Sequence, residues 1–246
     1  MNTNNILVIG TGEIGQGILN QYNEKEQFCV FTKDLDYCDA MPKEINVMHI
    51  CIPYSQDFTK IVVEEINKYS PKLTIINSTV PTGTTNDIYE ITKELIAHSP
   101  CVGKHPKITE SIKSFTKIIG GTTQEAGLMT RAHFNELGIE TVIYNNSNES
   151  ETAKLFSTTR YGWDIMYMKF VKEYCDTNNL NFYNIYTKTT EIYNDGYSKI
   201  NMPQYTRPKL EYMGKGIFGH CVKENCKLIN KFFPSEVINK SMKEGL

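Results

Sequence analysis

The segment Gly214-Lys215-Gly216-Ile217-Phe218-Gly219-His220-Cys221-Val222-Lys223 brings a cysteine, behind glycines, to the predicted start of a helix. A helix N-terminus and a nearby lysine both favour thiolate, the nucleophilic form of the side chain. Cys221 is therefore a candidate nucleophile, with His220 as a neighbour able to assist when protonated. The same residue reads equally well as a small apolar cap on a core helix, which is the reading given to Cys226. Lys154 stands one turn into a predicted helix, where a lysine is most often a solvated surface charge. Asn77-Ser78-Thr79-Val80-Pro81-Thr82-Gly83-Thr84 follows an apolar run directly. That places it at the carboxyl edge of a sheet, where ligands bind in doubly wound folds, or the whole stretch can be a strand-to-helix turn in which Ser78 or Thr84 caps the helix.

These residues need elements to position them. Ile6-Leu7-Val8-Ile9 runs into Gly10-Thr11-Gly12-Glu13-Ile14-Gly15, an apolar strand followed by G-x-G-x-x-G at the mouth of a helix. The pattern predicts a dinucleotide-binding turn: Gly10 for the tight turn, Gly12 for close approach to pyrophosphate, Gly15 for packing of helix on strand, with the helix N-terminus facing the phosphates. A second apolar run, Phe28-Cys29-Val30-Phe31, precedes Asp34, a carboxylate suited to the adenosine ribose. An acid there favours NAD over NADP, and Lys33 next to it weakens that preference. The predicted cofactor set is Gly10, Gly12, Glu13, Ile14, Gly15, Asp34, Pro53, Ser78 and Thr79.

Up to about residue 145, short apolar strands at 47–52, 73–76, 118–119 and 141–144 alternate with amphipathic stretches. That alternation predicts an α/β fold, a Rossmann-type doubly wound parallel sheet. The polar cluster at 145–150 predicts a linker and helix cap, and it sets a boundary between an NAD-binding domain at 1–148 and a smaller helical domain for substrate and dimerisation at 149–246. Within the latter, 151–180 reads as a long spine helix, 182–194 as a second helix, and 222–232 and 235–243 as further helical stretches. The intervening loop carries Tyr205, Arg207, Lys209 and Tyr212, which can grip an anionic substrate or be solvated.

With 246 residues, 40% of them hydrophobic, the chain is long enough for two modest domains. A formal charge of −2 and the absence of a basic run give nucleic acid nothing to attract it. No apolar run is long enough to span a membrane, and the N-terminus lacks the pattern of an export signal, so the predicted location is the cytoplasm. The seven cysteines form no C-x-x-C pair and read as neither a disulfide framework nor a metal site.

In order, the motifs resemble the UDP-glucose/GDP-mannose dehydrogenase family, the nucleotide-sugar dehydrogenases. They are G-x-G-x-x-G with Asp34 and Asp36, Ser78-Thr79-Val80-Pro81-x-Gly83, Ser99-Pro100, Glu151-x-x-Lys154-Leu155-Phe156, and Gly219-His220-Cys221. The resemblance implies oxidation of a sugar primary alcohol to a carboxylate with NAD. Cys221 would form a thiohemiacetal and then a thioester, Lys154 would stabilise the oxyanion, and Thr79 would hold a catalytic water. Gly219 and His220 would border the substrate, and the spine helix would pair with its mate in a homodimer. Three positions depart from the family pattern. Cys101 stands where a glutamate follows Ser-Pro, Thr158 replaces an asparagine after Lys154, and Asn225 replaces an acid after Cys221; Glu224 or His220 would then have to move the proton. Family members also continue into a second Rossmann-like domain, whereas this sequence ends at Leu246. Two other readings remain open: a two-electron hydroxyacid-type dehydrogenase or reductase using Lys154, and a dinucleotide-binding protein without turnover.

Overall fold

The structure is a computed structural model that describes residues 4–103, 106–214, 220–229 and 232–244, with the side chains of His220 and of residues 241–244 left out. The chain divides into two compact units, Met1–Lys154 and Leu155–Leu246.

The first unit is built on strand β1 (Asn4–Ile9), which pairs in parallel with β2 (Phe28–Asp34) on one side and β4 (Val47–Ile50) on the other. Beyond β4 lie β5 (Leu73–Ile76) and β6 (Ile96–His98), both parallel, then β7 (Lys117–Gly121) and β8 (Thr141–Tyr144). The short β3 (Tyr37–Cys38) closes the opposite edge against β2 in antiparallel fashion. The order is β3-β2-β1-β4-β5-β6-β7-β8, a Rossmann-type sheet parallel except at β2/β3 and β6/β7.

The unbroken apolar runs follow from burial of the sheet on both faces. On β1, Ile6 and Val8 join one core with Ile18, Ile112 and Phe134, while Leu7 and Ile9 join the other with Phe58, Val62, Ile66 and Ile88. The first core lies under helices α1 (Glu13–Leu19), α4 (Ile108–Ser114) and α5 (Gln124–Glu136). The second lies under α2 (Phe58–Tyr69) and α3 (Thr84–Thr92). The strand expected at 47–52 stops at Ile50, and the one expected at 118–119 extends over Lys117–Gly121.

The polar cluster at 145–150 is not a linker. Helix α6 (Ser147–Thr177) begins inside it: Asn146 Oδ1 accepts from the Glu149 amide at 3.0 Å, and the Glu149 carboxylate accepts from Asn145. These short polar side chains satisfy amides at the helix start, so the cluster is capping chemistry. The helix ends where Asn179 turns left-handed, at φ 54°, and Leu180 N donates to Cys175 O.

The second unit holds the remainder of α6, a π-helical stretch at Tyr183–Lys188 that leads into α7 (Thr189–Lys199), and helices α8 (His220–Leu228) and α9 (Phe233–Glu244). Its small core joins Met166, Val222, Cys226 and Ile238. Gly162 makes that packing possible, because a Cβ there would lie 2.7 Å from Val222 Cγ1 and 3.0 Å from Ile238 Cδ1. The glycine that lowers helix propensity in α6 is thus a close-approach site. Among the described residues no helix is long and apolar enough to cross a membrane.

Candidate active site

The carboxyl ends of β1, β2, β4 and β5 bring together most of the expected cofactor residues. β2 follows β1 on one side, while the chain crosses to β4 on the other, so the crevice at the switch point opens beside the glycine turn. Gly10 has φ 89°, and a Cβ there would approach Cys51 backbone and Ile52 within 2.9 Å. A Cβ on Gly15 would lie 1.8 Å from Gly10 O. Gly12 differs: a Cβ on it would meet nothing within 4 Å, so its outward side is open. Two glycines close the turn inward and the middle one leaves room for a ligand, which fits the phosphates of a dinucleotide. Glu13 opens α1 on its exposed side, and Ile14 packs into the first core.

Asp34, at the end of β2, accepts from the Thr11 amide at 2.6 Å and from the Thr11 hydroxyl. Those two donors hold its carboxyl below the usual range, the hydroxyl contributing most. Thr11 is an unmarked position of the glycine motif, so nothing in the sequence singled it out. Lys33, expected from its place beside Asp34 to weaken a preference for NAD, has a partner of its own. Successive side chains on a strand point to opposite faces, and Lys33 pairs with Glu65 of α2.

Pro53 is exposed just beyond β4. Ser78 is buried, and its hydroxyl donates to Ile52 O at 2.6 Å, tying the loop after β5 to the loop after β4. The hydroxyl of Thr84 donates to Pro81 O at 2.8 Å. Neither Ser78 nor Thr84 caps α3, whose N-cap is Gly83, without a side chain to offer. The cap comes from the start of α6: Glu151 accepts from Gly83 N at 2.7 Å and Thr85 N at 2.8 Å. Thr79 is half-buried in the middle of this loop.

Lys154 is half-buried, and its Nζ donates to Cys101 O at 2.8 Å, so it is not simply a solvated charge. A second lysine, Lys117 of β7, reaches the same segment from inside and is 4% exposed. Its ammonium finds three acceptors, Ser99 O at 3.1 Å, Pro100 O at 3.3 Å and Cys101 Sγ at 3.5 Å, and lies 4.9 Å from the centroid of the Phe134 ring. Three donors matched by three acceptors explain how a cation stays in the core. Sequence reasoning missed Lys117, since nothing marks a lysine in an apolar strand as inward-facing.

The first unit also holds a buried polar chain. Asn77 Nδ2 donates to His49 Nδ1 at 3.0 Å, which puts the neutral His49 proton on Nε2, facing Tyr22 Oη at 2.6 Å. Tyr22 in turn donates to His133 Nε2 at 2.7 Å. Burial drives His49 well below the ordinary histidine range and lowers His133 to about 4, while it raises Tyr22. His98 of β6 falls to about 3 for the same reason.

In the second unit Cys221 is exposed in the first turn of α8, while Cys226 is buried in the small core. Gly219 lies outside the described residues, as does the side chain of His220. Two of the three departures from the family pattern meet: Asn225 Nδ2 donates to Thr158 Oγ1 at 3.2 Å. The other, Cys101, is buried in the first unit. Glu224, a candidate proton carrier, pairs with Lys227 on its own helix. Each residue expected to grip substrate has a partner. The Arg207 guanidinium lies 3.7 Å from the Tyr193 ring centroid, Lys209 pairs with Glu191 at 2.9 Å, and Tyr205 packs on Tyr197. Tyr212 meets Phe182 edge to face.

No family model matches this chain. It is 25% identical over 229 residues, 88% of its length, to UDP-N-acetyl-D-mannosamine dehydrogenase of Methanococcus maripaludis and covers 48% of that protein. The chain thus spans less than half the length of the curated relatives it matches. Among solved structures, UDP-D-ManNAc dehydrogenase of Pyrococcus horikoshii superposes with a TM-score of 0.76 at 18% identity, covering 98% of this chain and 69% of that one. The 3-hydroxyisobutyrate dehydrogenase of Mycobacterium tuberculosis gives 0.69 at 11% identity, covering 98% of this chain and 93% of that one. In sequence and in fold, the chain is similar to the nucleotide-sugar dehydrogenases that its ordered motifs resemble.

Proposed function

We propose that the chain is an NAD-dependent dehydrogenase that oxidises an alcohol of a sugar or sugar-like anionic substrate. The observation that carries this reading is the shared sheet edge, where the open glycine turn, Asp34 and the Ser78-Thr79 loop converge. Residues 1–148 hold the cofactor in this reading, and 149–246 serve substrate binding and dimerisation. Gly10, Gly12, Glu13, Ile14 and Gly15 border the pyrophosphate, Asp34 takes the ribose hydroxyls, and Pro53, Ser78 and Thr79 line the crevice. With Lys33 held by Glu65, Asp34 keeps its charge against a 2'-phosphate, which favours NAD over NADP.

When bound, NAD supplies the acceptor for a hydride. Lys154 takes the hydroxyl proton or stabilises the alkoxide, and Thr79 holds a water. The Cys221 sulfur would add to the resulting aldehyde, giving a thiohemiacetal; its hydride would pass to a second NAD, exchanged for the first NADH, to leave a thioester that water cleaves to the acid and the free thiol. Its exposure in the first turn of α8 supports a nucleophilic role. A two-electron oxidation that uses Lys154 alone is the second reading. It is favoured by the side chains at the departures: Cys101 is a buried thiol, and Asn225 is a neutral amide bound to Thr158. Neither supplies a carboxylate to activate water for thioester hydrolysis.

The deciding experiment incubates the protein with NAD and a panel of nucleotide sugars, sugar phosphates and hydroxy acids, and measures NADH per substrate consumed. Two NADH, lost on Cys221→Ser, supports the thioester route. One NADH, unaffected by Cys221→Ser, supports the two-electron route; NAD binding without turnover on the panel removes the enzyme reading. We also propose a homodimer through α6, where Tyr167, Phe170 and Tyr174 are exposed at positions that share a helix face. A monomer by light scattering at micromolar concentration ends that proposal.

A further inference from the structure

We propose that Glu151 is a positioning residue for this site, locking the loop that carries Thr79 onto the helix that carries Lys154. The inference rests on the dehydrogenase reading above. Helix α3 starts at a glycine and has no side-chain cap of its own, so its first amides need an acceptor from elsewhere. Glu151, fully buried, supplies it: one carboxylate oxygen accepts from Gly83 N at 2.7 Å, the other from Thr85 N at 2.8 Å and Thr85 Oγ1 at 2.6 Å. The negative charge sits at the positive end of α3.

The residues flanking Glu151 hold the same loop. Ser150 Oγ lies 2.8 Å from His98 Nδ1, and His98 Nε2 lies 3.1 Å from Ser78 O. Because Ser78 O can only accept, the neutral His98 carries its proton on Nε2, and its Nδ1 accepts a hydrogen bond from the Ser150 hydroxyl. Thr82 and Thr152 join hydroxyls at 2.8 Å. Consecutive residues of α6, Ser150, Glu151 and Thr152, therefore grip the loop before and after Thr79. Lys154 follows Glu151 by three positions, on the same side of the helix. A buried carboxylate is a costly way merely to join a loop to a helix, since apolar side chains of similar volume often serve stability as well or better. What the carboxylate adds is directed geometry between two groups that the reaction needs in register.

The test is Glu151→Gln, in which the side-chain amide keeps one acceptor but turns a donor toward one of the two backbone amides. Steady-state kinetics, NAD affinity and hydrogen exchange at the Gly83 and Thr85 amides are measured together. The expected result is faster exchange at those amides and a kcat lower by about 10- to 100-fold, the scale for small misplacements of reacting groups, with NAD affinity within about twofold. Faster exchange with an unchanged kcat overturns the proposal, and so does a loss of NAD affinity in step with kcat. Should that variant not fold, Thr85→Val removes one contact at constant shape and carries the same test. Its expected kcat is lower by about 3- to 10-fold at unchanged NAD affinity, and an unchanged kcat overturns the proposal. A wild-type protein that binds NAD but turns over nothing on the panel overturns the dehydrogenase reading itself, which separates the two failures.

Discussion

The residues singled out for chemistry fall into two groups held in different ways. In the first unit they are fixed by buried hydrogen bonds between elements far apart in sequence: Ser78 to Ile52, Glu151 to Gly83 and Thr85, Lys117 to the 99–101 segment. In the second unit Arg207, Lys209 and Tyr205 are fixed by exposed contacts with side chains of α7, and Cys221 stands exposed at a helix start. Buried, fully paired groups are expensive to displace, whereas exposed pairs move at little cost. The first set is preorganised by the fold itself. The second set can be displaced from its exposed contacts at little cost.

The strongest way to break this contrast is within the glycine turn. Gly15→Ala places a Cβ 1.8 Å from a backbone oxygen, which no rotamer change relieves. We expect the first unit to lose several kcal/mol, roughly 3 or more, and NAD binding to disappear. Gly12→Ala meets no protein atom within 4 Å, so stability should hold while NAD affinity falls by at least about tenfold. Chemical denaturation and NAD titration of both variants check this. Equal damage to stability in the two would show that the turn is not open on the Gly12 side.

Acid should also distinguish the units. His98 at about 3 and His133 at about 4 are buried as neutral bases, and His49 is lowered in the same direction. The unfolded chain binds these protons near the ordinary histidine value of about 6.5, so below it the unfolded state takes up more protons and stability falls. The contribution is fully present above about pH 6.5 and is lost as pH drops through the window down to the folded values. Between pH 8 and pH 5 the expected loss is about 2 kcal/mol for each of His98 and His133. Denaturation midpoints across that range measure it, and residue-resolved hydrogen exchange should place the loss in the first unit, since the second has a single histidine, His220. A flat stability profile from pH 8 to 5 would contradict the buried neutral assignment.

How much of this was legible in the sequence depends on the range of the interaction. β1 and β5 were readable because burial on both faces demands uninterrupted apolar runs, and the glycine turn because its constraint lies within six residues. At the start of α6 the helix-cap half of the reading of Asn145 to Ser150 holds and the linker half does not, since the Asn146 and Glu149 contacts open the helix inside the cluster. Glu151 was visible in its motif, but its role was not, because its amide partners lie 66 and 68 residues away. Lys117 gave no signal at all: its three acceptors belong to a segment that only the fold brings beside β7. Thr158 and Asn225 read as separate departures, and the structure makes them a single hydrogen-bonded change.

The smallest expected effect on stability tests the other side of the contrast. Arg207→Ala and Lys209→Ala remove an exposed guanidinium–ring contact and an exposed ion pair, and neither should shift the denaturation midpoint measurably. Their effect should appear only with substrate. If these side chains leave Tyr193 and Glu191 to hold an anionic group, losing either removes a charge-assisted hydrogen bond, and KM should rise by about tenfold or more at constant NAD affinity. An unchanged KM in both variants would assign them to the strap between the 203–210 loop and α7, which Asn194 already reinforces by accepting from Arg207 N at 2.8 Å and donating to Arg207 O at 2.9 Å. The exposed contacts of the second unit would then be structural after all, and the search for the group that recognises substrate charge would move away from this loop.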